Sequence, residues 1–176
     1  MELTKWLTGR AGLQGLVGFV FLLFANTGCA GTLQGQVLDA QTGQPIAGAV
    51  VLGVWTKLAG LPGLHHHELV GVREVETDTE GRFVLEQARR VVYEDDESVT
   101  VYKPGYVAWS NLYIFPTSER RTDTRIPAEI RLEPFPPDQS HSQHMSFINN
   151  SRRAGRYGID SMPKFWSALQ PELRMQ

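Results

Sequence analysis

The chain has 176 residues, 41% of them hydrophobic and 20% charged, with a formal net charge of −2 and a single cysteine, Cys29. That length fits one domain with appendages. The near-neutral balance excludes the global basic field that nucleic acid or an anionic membrane surface would select, and one cysteine excludes an intrachain disulfide framework.

Residues 1–29 have the layout of an export signal. Lys5 and Arg10 give a positive start, Gly15 to Ala25 form an apolar run, and the small residues Thr27 and Gly28 precede Cys29. A spanning helix needs about 20 apolar residues, so this run is short for a permanent anchor. Thr27-Gly28-Cys29 at the end of such a run resembles a bacterial lipobox, although Asn26 stands where that pattern prefers Leu. The resemblance implies acylation of Cys29 as the mature N-terminus. Ala30 in place of Asp then implies the periplasmic face of the outer membrane as the address, with secretion or inner-membrane anchoring as the alternative.

From Leu33 to about Pro134 short extended stretches alternate with turn formers, and no convincing amphipathic helix interrupts them. Leu33 to Trp55 reads as strand, turn, strand. Gly43 and Pro45 punctuate the turn, Gly48 suits a bulge, and Val50-Val51-Leu52-Gly53-Val54-Trp55 is a β-branched run for a sheet interior. Thr56 to Glu68 is longer than a tight hairpin needs and reads as an exposed insertion. A second hairpin is expected around Asp78-Thr79-Glu80-Gly81, followed by Phe83 and Leu85 on one face. Val99 and Val101 point inward from the next strand, Lys103-Pro104-Gly105 turns the chain, and Leu112–Phe115 and Glu129–Leu132 bring the expected count to about seven strands. That number at that spacing predicts an all-β fold, a single antiparallel sandwich.

Four pieces stand in order along this region: Gly35–Asp39, Thr42–Val51, Thr77–Phe83 and Lys103–Tyr106. Together they resemble the carboxypeptidase regulatory-like domain, a prealbumin-like (transthyretin-like, Ig-like) β-sandwich, over residues 33–134. The resemblance implies a small module appended to peptidases, receptors and surface proteins. It implies no catalysis, because the matching residues are turn and core residues, and no peptidase accompanies the module here.

After Pro134 the composition turns polar, and 135–176 is expected as a tail with one or two short helices. Ser140 to Asn150 fits one helix, with His144 and Phe147 or Met145 and Ile148 on a face. Ser161-Met162-Pro163 reads as the start of another, carrying Phe165, Trp166, Leu169 and Leu173, with Pro171 fraying its end. The tail is expected to pack on the sandwich.

His65-His66-His67-Glu68 is the cluster with metal-ligand character, to which Glu74 or Glu76 could add oxygen. Adjacent residues on a strand point to opposite faces, which works against chelation by three in a row. His141 and His144 have helical spacing. Asp95 and Asp96 sit in an acidic run that reads as solvated loop. No nucleophile elbow, HExxH or phosphate loop is present. Trp55, Tyr102, Tyr106, Trp109, Tyr113 and Phe115 suit either a carbohydrate-binding face or a sandwich core, and the core is the commoner use. The sequence therefore predicts a non-enzymatic envelope lipoprotein, without cofactor, whose sandwich binds another envelope protein or a polysaccharide. Metal binding through His65, His66 and His67 is the alternative.

Overall fold

Val50 to Thr56 is buried at every position, the run that the sequence marks as a sheet interior. The computed structural model of the chain describes residues 31–61, 63–88, 95–152 and 159–175, so the expected export segment, with Cys29, lies outside the described residues. Among the described residues nine strands form: β1 (Thr32–Asp39), β2 (Val50–Leu61), β3 (Leu64–Glu76), β4 (Arg82–Glu86), β5 (Asp95–Tyr102), β6 (Trp109–Ser110), β7 (Tyr113–Ile114), β8 (Glu119–Arg120) and β9 (Glu129–Leu132). They make a three-stranded sheet in the order β4-β1-β9, a four-stranded sheet in the order β3-β2-β5-β6, and the small β7-β8 pair.

The two larger sheets share one core. Val37, Phe83, Leu85, Ile130 and Leu132 from the first meet Val51, Trp55, Val99 and Val101 from the second. Phe83 and Leu85 point in while Val84 between them is exposed, as period-2 alternation requires. Trp55 lies back over Gly53, where any side chain would collide with its ring. That close approach explains a glycine in an otherwise β-branched run.

The other face of the four-stranded sheet is covered by two helices, α1 (His141–Ser151) and α2 (Pro163–Leu173). Met145, Phe147, Ile148, Met162, Phe165 and Leu169 pack against Val50, Leu52, Val54, Tyr102 and Ala108 in a second core. The molecule is therefore sheet, sheet, helices, and β2 lies in the middle layer. Ser140 caps α1 through its side chain, which accepts from Gln143 N at 3.3 Å. Met162 offers α2 no such cap. Glu74 of β3 replaces it from across the interface, accepting from Lys164 N at 2.8 Å and Phe165 N at 2.9 Å. Pro171 sits within α2 without ending it at that residue.

Four expectations are corrected. Asp78–Gly81 is a turn but not a hairpin, because β3 pairs with β2 while β4 pairs with β1, so the turn carries the chain from one sheet to the other. Gly81 takes φ +72° there, and a Cβ on it would lie 2.5 Å from Val37 O. The sheets are not wholly antiparallel: β9 runs parallel to β1, from Gln36↔Glu129 to Asp39↔Leu132. Strands number nine among the described residues, three of them two residues long. Finally, Thr56 to Leu69 is not a loop. β2 and β3 continue as a paired arm from Thr56↔Leu69 to Leu61↔Leu64, beyond a register shift after Trp55. Both faces of the arm are largely exposed, so no alternation of burial marks it in the sequence.

The middle layer and its helical cover can each be probed by one substitution. Leu52→Ala empties a fully buried site and should lower the unfolding free energy by about 2–5 kcal/mol in urea titration. Glu74→Ala strips the acceptor from two helix-terminal amides, and a loss of about 1–2 kcal/mol is expected; an unchanged urea midpoint would show that the cross-layer cap contributes nothing.

Candidate functional site

The tail contributes the densest cluster of titratable side chains among the described residues. α1 places His141 and His144 one turn apart, and the last turn of α2 places Glu172 against both. Glu172 Oε1 lies 2.7 Å from His141 Nδ1 and 2.9 Å from His144 Nδ1, while Oε2 accepts from the Tyr102 hydroxyl at 3.2 Å. Glu172, His144 and Tyr102 are buried, and His141 is the partly exposed member. Phe135 stacks on His141 with ring centroids 4.5 Å apart, and Phe115 meets His144 edge-on at 5.1 Å.

The hydrogen bonds assign the protons. Ala108 N–H donates to His144 Nε2 at 2.9 Å, so that nitrogen carries a lone pair. Nδ1 is then the protonated nitrogen and donates to Glu172. Burial holds the His144 imidazole below its ordinary value, outweighing the favourable carboxylate beside it. Burial alone would push the Glu172 carboxyl up. Hydrogen bonds from His141 and His144 reverse this and leave it below the usual carboxylate value. Burial, with the Glu172 charge, pushes the Tyr102 phenol up. The cluster is an ionised carboxylate held by three donors, with a neutral His144 among them. Both nitrogens of His144 and both oxygens of Glu172 are engaged inside the protein, so the arrangement clamps α1 and α2 to β5 instead of presenting an acid or base to a substrate.

Glu172 carries a sequence signal of its own, which the apolar pattern of the tail overshadows. It follows Phe165 and Leu169 at helical spacing and so falls on the buried face of α2. A carboxylate on such a face requires donors, and two histidines on the facing helix supply them.

The residues singled out from sequence are dispersed. Cys29 lies outside the described residues. His65, His66 and His67 are exposed on β3 within the arm, opposite Gly60, Ala59 and Leu58. His66 leaves the strand on the face opposite to His65 and His67, and among the described residues no group of three or more His, Cys, Asp or Glu is disposed to hold a metal ion. Glu74 is engaged as the α2 cap, and Glu76 lies farther along β3 opposite Val50. His141 and His144 converge on a carboxylate. The aromatics serve the two cores: Trp55, Tyr106 and Trp109 in the inter-sheet core, Tyr102, Tyr113 and Phe115 under the helices. Tyr106 also donates from its hydroxyl to Asp39 at 2.9 Å, and the Arg121 guanidinium lies 5.6 Å from the Trp109 ring.

The lowered His144 value fixes the sign of a pH effect. Between its folded value and about 6.5 the unfolded chain binds a proton that the native state refuses, so stability should fall as pH drops through that window. The lowered Glu172 value adds a further loss as pH falls below about 4.5. Urea midpoints from pH 8 downward should show the first decline in the native chain. His144→Gln should flatten it, since an amide can accept from Ala108 and donate to Glu172 without titrating.

No family model matches the chain, and no curated protein does. Among solved structures it is similar to a 9R-lipoxygenase from Cyanothece PCC8801, at 12% identity and a TM-score of 0.32, over 82% of this chain and 25% of that one. A likeness that low carries no argument about fold or activity.

Proposed function

We infer that the chain is a non-enzymatic, lipid-anchored envelope protein whose β domain is a recognition module, with the arm formed by Thr56–Leu61 and Leu64–Leu69 as its binding element. The arm carries the reading. Every other prominent feature is accounted for by folding: the aromatics fill cores, the His141-His144-Glu172 cluster clamps the helices, and Glu74 caps α2. Among the described residues the arm extends past both cores, with Leu61 71% and Leu64 76% exposed. A paired extension that buries so little contributes little to stability, so its use is external. Two packed sheets with a glycine turn at Asp78–Gly81 and another at Lys103–Gly105 support kinship with the carboxypeptidase regulatory-like, prealbumin-like sandwiches. The lipobox-like Thr27-Gly28-Cys29 supports acylation, and Ala30 supports the outer membrane.

The anchor and the module are tested separately. A Cys29→Ser variant should accumulate as the unprocessed precursor without an acyl label, whereas normal maturation of the variant would remove the anchor from the reading. A photo-crosslinker at Leu61 should capture an envelope component in intact cells. One at Val84, exposed on the body of the domain, should not, and equal capture from both sites would show that the arm is not the binding element.

A further inference from the structure

The arm and the start of β1 leave the molecule at the same end. Gln87 N donates to Gly31 O at 2.8 Å, and Gln87 Nε2 donates to Glu97 Oε1 at 3.1 Å. That same oxygen accepts from Trp55 Nε1 at 2.9 Å. Trp55 is the last β2 residue before the register shift at which the arm begins. The far end of β1 is elsewhere: Asp39 accepts from Tyr106, just past the turn whose Lys103 reaches Ala47 O. Any chain preceding Gly31 therefore arrives at the end from which the arm projects.

Two lengths then decide what the arm meets. Thr56 to Leu61 is five steps along the strand and spans about 16 Å at about 3.3 Å per step. Cys29 stands three peptide steps before Thr32, and at about 3.8 Å per step its Cα lies no more than about 11 Å away. The arm is longer than the tether. An acyl group at Cys29 would hold this end of the domain near the bilayer surface, within reach of an arm of that length.

The surface of the arm suits that neighbour. Leu61 and Leu64 are direct cross-strand partners, so they share one face, and both are largely exposed at the tip. Leu58, 39% exposed, pairs with His67 on the opposite face of the arm. Lys57 and Glu68, the arm's Lys and Glu, pair with each other at 3.1 Å toward its base, which leaves no uncompensated acidic group to oppose entry. His65, His66 and His67 follow the tip with rings that offer an apolar body and a polar edge, the combination that settles at headgroup level.

We propose that the envelope component met by the arm is the lipid bilayer itself, with Leu61 and Leu64 seated at the headgroup–acyl boundary beside the acylated Cys29. The proposal rests on the lipid-anchor reading and adds a second membrane contact, which fixes the orientation of the domain where a lone tether would let it swing. The sandwich and its helical layer then face away from the membrane.

The test uses the full acylated chain in vesicles of phosphatidylethanolamine and phosphatidylglycerol. With Cys29 consumed as a thioether, a Leu64→Cys substitution supplies a thiol for an environment-sensitive fluorophore, and Val84→Cys supplies the control. Lipids bearing a nitroxide high on the acyl chain should quench the label at 64 by about half or more and leave the label at 84 unaffected. Leu61→Cys should repeat the result for 64. Absence of quenching at 61 and 64 in protein that floats with the vesicles overturns the proposal while the anchor stands. A mass without acyl groups at Cys29 overturns the anchor and the proposal together. A label at 64 that is shielded in intact cells, yet unquenched by nitroxide lipid, identifies a protein partner and overturns the bilayer as occupant.

Discussion

β2 has no solvent face between Val50 and Thr56, and the rest of the architecture is arranged to satisfy that. Its even-numbered side chains Val50, Leu52 and Val54 point at the helices, and Val51 and Trp55 point at the opposite sheet. Backbone hydrogen bonds to β3 on one side and β5 on the other complete the enclosure. A strand buried on both faces needs two covers. The three-stranded sheet is one, and the tail, with six fully or nearly fully buried apolar side chains, is the other. Without α1 and α2 the middle sheet would expose Val50, Leu52, Val54 and Tyr102 as a continuous apolar face, which soluble domains do not tolerate. The tail is thus part of the domain's core.

That constraint also settles the weight of the His141-His144-Glu172 cluster. Burial of each large apolar side chain of α1 and α2 stabilises the cover by about 1.5–3 kcal/mol. Moving the titration of one group by a full pH unit corresponds to only about 1.4 kcal/mol. Five such side chains, Met145, Phe147, Ile148, Phe165 and Leu169, outweigh the titration of a single buried histidine. Protonation of His144 therefore weakens the fold without releasing the helices, and the cluster reads as a device of registry more than of switching. It sets one pairing of α1 with α2, because only that pairing gives Glu172 its donors.

The β region was legible in the sequence where burial leaves a pattern. Phe83 and Leu85, Val99 and Val101, and the continuous run at Val50–Trp55 fall where period-2 alternation and a doubly buried strand place them. Helix starts at Ser140 and Pro163 were legible for local reasons of capping and proline geometry. What stayed hidden is what pairs with what. Alternation along β3 and β4 is the same whether the turn at Asp78 closes a hairpin or crosses between sheets, and β9 would show the same Ile130 and Leu132 in a parallel or an antiparallel ladder. The place of Glu172 on the buried face of α2 was legible, but its partners were not, since they lie 28 and 31 residues away on another helix.

The arm is the case in which the sequence and the structure disagree in an informative way. Beyond the buried Thr56, the stretch to Glu68 lacks periodicity because both faces are largely exposed, and absence of pattern reads as loop. In the fold the same residues keep the full β2-β3 ladder past the point where the cores end. An isolated two-stranded extension is marginal in water, and this one is held at its base by the sandwich and left with leucines at its tip. Leu61 and Leu64 gain little burial there from the fold. The acyl group proposed at Cys29 would stand at the same end, since β1 enters there. On the proposed reading the arm is a surface-seeking element, whereas the His141-His144-Glu172 cluster is turned inward.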